Sequence, residues 1–133
     1  ARLHLLTGEP RHREAAAAAV GLVSAQAQKW PQAFARALAT ADLLDSRPVE
    51  VAVVGALDDP RTATLVHAAR AAAGPYAVIA AGDPAHPGPA VAAPLLAGRP
   101  LVHDAPAAYA CSGLTCQAPV SDADALMTVL RDG

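Results

Sequence analysis

Cys111 and Cys116 are the residues whose type and spacing best suit covalent chemistry in this chain. They form a Cys-x4-Cys pair around Ser112-Gly113-Leu114-Thr115, a turn-sized loop. Three readings of the pair stand side by side. A metal site needs two further ligands, and His103 is the nearby candidate. A reversible disulfide is geometrically open to the pair, although the spacing is not the Cys-x-x-Cys of a dithiol oxidoreductase with its lowered thiolate pKa. Two small thiols shielded beside a sheet make the plainest reading, since free cysteine is among the most buried residue types.

The remaining candidates favour structure over chemistry. Val51-Ala52-Val53-Val54-Gly55-Ala56-Leu57-Asp58-Asp59-Pro60 has the order strand, glycine, loop, helix start. Phosphates bind at such turns on free amides of the helix N-terminus. Here a single glycine is present, and Asp58 and Asp59 would repel a phosphate, so a turn capped by an Asp is expected. The five histidines, His4, His12, His67, His86 and His103, are scattered and share no catalytic spacing with a Cys, Ser or carboxylate. Asp58/Asp59 and Asp122/Asp124 fall where helix caps belong. No Gly-x-Ser-x-Gly elbow and no His-Glu-x-x-His helix is present. No catalytic residue, resident metal or cofactor is therefore assigned, and the chain by itself is expected to catalyse nothing.

The elements that must position these residues follow from periodicity. Ala1 to Leu6 reads as the last turns of a helix ended by Thr7-Gly8. Pro10 to about Lys29 reads as a second helix, with Ala16, Val20, Val23, Ala27 and Trp30 on one apolar face. Pro31 opens the next, lined by Phe34, Ala37, Leu38, Ala41 and Leu44 and ending at Ser46-Arg47-Pro48. From Val49 the period changes. Val49 to Gly55 is short, β-branched and nearly continuous in apolar character, as a buried parallel strand is. Asp58-Asp59-Pro60 starts a helix that Gly74-Pro75 stops, and Tyr76 to Ala81 is a second strand, which together make a right-handed βαβ unit. The Pro- and Gly-rich connection 82–106 reads as a surface excursion with a short extended piece around Val91 to Leu96. A third strand is expected near Ala107 to Cys111, then a loop, then a helix from the capping box Ser121-Asp122-Ala123-Asp124 through Leu130.

Composition excludes several function classes. The 133 residues are 53% hydrophobic but 3% aromatic, so the core should be thin and built over Ala and Val. A net charge of −2 supplies no basic field for nucleic acid. No run is long and apolar enough to span a membrane, and Arg11-His12-Arg13 followed by an Ala-rich stretch is a poor imitation of a secretory signal. Two cysteines in an ordinary composition suit a reducing, cytoplasmic compartment.

Ala108-Tyr109-Ala110-Cys111-Ser112-Gly113-Leu114-Thr115-Cys116-Gln117-Ala118-Pro119-Val120-Ser121-Asp122 resembles the closing Tyr-x-Cys-x4-Cys-x-x-Pro-x-x-Asp segment of the thioredoxin-domain-containing, spermatogenesis-associated (YyaL-like) proteins. Pro94-Leu95-Leu96-Ala97-Gly98-Arg99 is similar to that family's Pro-Leu-Leu-x-Gly-Arg/Lys piece, and Val49 to Pro60 to its strand-Gly-acidic turn. The resemblance implies a C-terminal region of a larger protein with an N-terminal thioredoxin-like domain and a central (α/α) barrel similar to sugar epimerases and six-hairpin glycosidases. Neither the thioredoxin dithiol nor the barrel's acidic pocket maps onto residues here. The loop also departs from the family at Leu114, where aromatic residues are common.

The resulting expectation is an α/β lobe over 49–133, with a small, mainly parallel, three-layer sheet, preceded over 1–48 by an α-helical hairpin from a truncated (α/α) barrel. Its expected role is that of a non-catalytic structural lobe, whose partners are the barrel and thioredoxin-like domain of its own parent chain. Thiol redox or metal binding by Cys111 and Cys116 is the alternative. A sugar epimerase or isomerase activity applies to an intact parent. Leu3, Leu6, Leu22, Trp30 and Phe34 form apolar surface through which the isolated chain is expected to self-associate.

Overall fold

The computed structural model describes residues 1–83, 86, 94–113 and 115–132. The chain divides into two compact units, Ala1–Arg47 and Pro48–Gly133.

The first unit is helical. α1 (Arg2–Thr7) ends at Gly8, whose φ of 71° lets its N–H close on the His4 carbonyl. α2 (Pro10–Lys29) begins with Pro at its first turn and ends where the Trp30 N–H reaches the Gln26 carbonyl. Pro31 does not open the next helix as expected. Residues 31–34 form a turn in which the Phe34 N–H bonds the Pro31 carbonyl, and α3 (Ala35–Asp45) starts four residues later than Pro31. The expected apolar faces are only partly covered. Ala27 is buried and Ala16, Val20 and Val23 are half-buried, but Trp30 stands 67% exposed. Leu38 is also exposed, and Leu43, one position before the expected Leu44, is the buried leucine of α3.

The second unit is a mixed sheet with two helices. β1 (Val49–Val54), β2 (Val78–Gly82), β3 (Ala107–Ser112) and β4 (Thr115–Cys116) lie in the order β2-β1-β3-β4. β1 runs parallel to β2, joined through α4 (Pro60–Ala72), but β3 is antiparallel to β1 and β4 to β3. A mainly parallel sheet is thus the wrong expectation. The apolar run of β1 needs cover on both faces, and that demand is the same whichever way its neighbours run.

The faces follow from alternation along the strands. Val51 and Val53 face α4 and α5 (Ala123–Asp132), packing with Leu65, Ala68, Ala69, Ala108 and Leu126 in one core. Both helices therefore sit on one side of the sheet. Ala52 and Val54 face the other side and are equally buried, and the 3-10 turn Pro94–Leu96 packs there against β1 and β2. That turn takes the place of the third layer of helix. The expected extended piece around Val91 to Leu96 lies outside the described residues up to 93; its last part, Pro94–Leu96, is this turn.

Two helix starts confirm the capping chemistry, one of them shifted. Asp59 Oδ1 accepts the Arg61 N–H at 2.8 Å, which makes Asp59 the cap of α4. At α5 the Ala125 N–H donates to Asp122 Oδ1 at 2.9 Å, so Asp122 rather than Ser121 is the cap. Between β1 and α4, Gly55 is required by close approach. A Cβ there would meet Thr62 Oγ1 at 2.4 Å and Pro106 Cβ at 2.8 Å.

Candidate functional site: a disulfide under a guanidinium

Cys111 and Cys116 are bonded to each other. The cause is the hairpin that the Cys-x4-Cys spacing closes. Cys111 stands opposite Cys116 in the β3–β4 ladder, and Ser112 opposite Thr115. The Gln117 N–H bonds the Ala110 carbonyl at 2.9 Å, which leaves Cys111 and Cys116 in the neighbouring pair without backbone bonds between them. Side chains approach most closely at such pairs in antiparallel ladders. Gly113, at φ 62°, turns the chain between the strands. Leu114, where the loop departs from the resembled family, lies outside the described residues.

The two sulfurs differ in environment. Cys111 is 3% exposed, on the sheet face opposite the helices, whereas Cys116 is exposed on the edge strand. The expectation that both are shielded therefore holds for Cys111 and fails for Cys116. A two-residue edge strand has nothing outside it to cover its side chain.

Arg99 completes the site. Its Nη2 donates to Cys111 Sγ at 3.2 Å and lies 3.9 Å from Cys116 Sγ. Its Nη1 donates to the Leu95 carbonyl, and the guanidinium carbon sits 5.7 Å from the centre of the Tyr109 ring. The Tyr109 hydroxyl in turn donates to the Pro100 carbonyl at 2.8 Å. Gly98, at φ 70°, reverses the chain just after the 3-10 turn and aims Arg99 back over β3. Pro94 to Arg99 and Tyr109 to Cys116 thus meet in space. Arg99 was missed in the sequence because it lies in a connection with no periodicity. One signal was available: it is the sole Lys or Arg between Arg70 and Arg131.

The other candidates do not join this cluster. Among the described residues no three His, Cys, Asp or Glu side chains come together to hold a metal. His103, the proposed third ligand, is exposed in a tight two-residue turn with Asp104, both at positive φ, closed by mutual backbone bonds of Val102 and Ala105. His86 Nδ1 lies 2.9 Å from Asp83 Oδ2 at the exit of β2, and His4 Nδ1 lies 3.0 Å from the Glu9 carbonyl. His12 is 3.8 Å from the Glu9 carboxylate, and His67 is exposed on α4. Asp58 is exposed, and Asp124 stands exposed in the first turn of α5. The Arg61 guanidinium beside Asp59 holds its carboxyl below the usual range, and Asp59 raises Arg61 in return. Both belong to the helix cap.

The Gly55 turn offers no phosphate cradle. The space that a bound group would need is filled by Thr62, 1% exposed, and by Pro106. A small apolar cleft of about 120 Å³ opens between α5 residues Val129 and Leu130 and hairpin residues Cys111, Ser112 and Thr115.

Comparison with protein-family models, curated proteins and solved structures finds no match to this chain. Among the described residues no helix is long and apolar enough to cross a membrane.

Proposed function

We propose that residues 48–133 form a non-catalytic lobe of a larger protein whose Cys111–Cys116 bond opens and closes with the thiol redox state. The observation that supports this reading is the contact of Arg99 Nη2 with Cys111 Sγ at 3.2 Å. A disulfide sulfur is a weak acceptor and gains little from a guanidinium, whereas a thiolate gains much more. A cation held in place over the pair therefore favours the reduced state more than the oxidised one. In a reducing compartment, which the cysteine content suits, disulfides are transient or sensing bonds rather than staples. The reading keeps the expected structural role and makes it conditional on the thiols. The lobe's partner would then be the rest of its own chain, the barrel and thioredoxin-like domain implied by the resemblance.

Equilibration in glutathione buffers of graded ratio, followed by alkylation and mass measurement, tests the reading. The expected result is a single two-electron transition near the cytosolic glutathione poise, roughly −220 to −320 mV. A bond that stays closed at every ratio would make the pair a permanent staple. Thiols that stay free at every ratio would return it to simple packing.

A further inference from the structure

The two sulfurs are unequal in access and in charge, and thiol–disulfide exchange is sensitive to both. Cys116 is exposed on the edge strand, while Cys111 is 3% exposed and has the guanidinium against it. Exchange proceeds by in-line attack on one sulfur, with the other leaving as thiolate. The sulfur attacked must be reachable, and the sulfur that leaves benefits from a positive neighbour. Both conditions select the same direction here.

We propose that the couple is built as a directional exchange centre, in which a low-molecular-weight thiol attacks Cys116 and Cys111 departs as a thiolate held by Arg99. The inference rests on the reversible bond proposed above. In the first step the external thiolate forms a bond to Cys116 Sγ, the Sγ–Sγ bond breaks, and its electron pair stays on Cys111 Sγ. In the second, another external thiolate attacks the external sulfur of the mixed disulfide, releasing Cys116 as thiolate and a small-molecule disulfide. Two external thiols are oxidised by two electrons and the protein bond is reduced by two. Of the two protons released, one protonates Cys116 and one goes to solvent while Cys111 remains a thiolate. In the reverse direction Cys111, already ionised, attacks a mixed disulfide on Cys116 and closes the bond.

Arg99 can act this way because it is not a free surface chain. The Leu95 carbonyl takes Nη1, the Tyr109 ring lies under the guanidinium, and Nη2 is left for the sulfurs. Glu50 stands opposite Cys111 in the β1–β3 ladder.

The experiment reduces the oxidised chain with glutathione, quenches at partial conversion with N-ethylmaleimide and maps the peptides. The expected products carry glutathione on Cys116 and maleimide on Cys111. Arg99→Gln should slow the first step by about tenfold, because a leaving thiol of higher pKa leaves more slowly, and Arg99→Lys should recover part of the loss. Glutathione found on Cys111, or an Arg99→Gln chain that reduces at the native rate, would overturn the proposal. If Arg99→Gln does not fold, the peptide map of the native chain decides alone. These results separate from failure of the reversible bond itself: a native chain that glutathione never reduces removes both, whereas one that is reduced through Cys111 removes the direction only.

Discussion

The helical unit and the α/β unit bury their apolar residues very differently. In Pro48–Gly133, Val51, Val53, Ala69 and Leu126 are all fully buried, and they meet across two helices and a sheet. In Ala1–Arg47, Ala27 and Leu43 are the buried apolar side chains, while Leu22 is 83% exposed and Trp30 67%. The contrast has a geometric origin. A central strand with cover on both faces buries every residue, whereas one helix packed on another buries a stripe. An Ala-rich stripe brings little area to that contact, at roughly 25 cal/mol per Å². Stability should therefore concentrate in the sheet unit.

The largest expected effect tests that concentration directly. Leu126→Ala removes a fully buried side chain from the core under α4 and α5 and should cost about 2–5 kcal/mol. Denaturant unfolding followed on the sheet unit would show it, and a loss under 1 kcal/mol would erase the contrast. Gly55→Ala should come next. Its Cβ would press on Thr62 Oγ1 and Pro106, and overpacking of this kind costs about 1–3 kcal/mol. A stable Gly55→Ala chain would mean that the β1–α4 turn can open without penalty.

A smaller, local effect belongs to acid. The Asp59 carboxyl is held low mainly by its side-chain hydrogen bond to Arg61. A depressed folded-state pKa contributes stability that is present above the unfolded value and is lost as pH falls through the folded one. The α4 cap should thus persist below the ordinary Asp titration and release only in stronger acid. The Arg61 amide, followed by NMR through an acid titration, reports it, and a midpoint at or above the usual Asp value would contradict it. Smallest of all, Leu22→Ala in the helical unit should change stability by no more than about 0.5 kcal/mol. A clear loss on chemical denaturation would show that Leu22 is covered in solution.

Much of the local structure was legible in the sequence. Proline at helix starts, Asp before Pro60 and the change of period at Val49 located α2, α4 and β1, because each is set by neighbours within a few residues. Strand direction was not legible. β3 lies far along the chain from β1, and its Ala-rich residues pack equally well in either direction. β4 escaped notice because two residues carry no periodicity. The candidate site was half legible. The cysteine spacing announced a close pair, but the cation over it comes from Arg99, whose approach depends on the path of a Pro- and Gly-rich segment rather than on any local pattern. The cap at Asp122 shows the same limit on a smaller scale, since Ser121 and Asp122 both satisfy the rule and only the backbone chooses.

The returning chain after the hairpin has a further consequence, for association. Beyond Cys116 it stays alongside β3, with Gln117 bonded to Ala110 and Val120 paired with Ala108. The register slips by one residue between these contacts, where Pro119 has no N–H to give. The outer rim of the sheet is therefore short, irregular and proline-bearing, which is a poor template for another strand. The disulfide fastens the far end of this guard. Opening the bond frees Thr115 and Cys116 to fray, and uncovers the N–H and C=O groups of β3 near Ser112. A chemical event at one pair of sulfurs would then decide whether this rim stays closed to neighbouring chains.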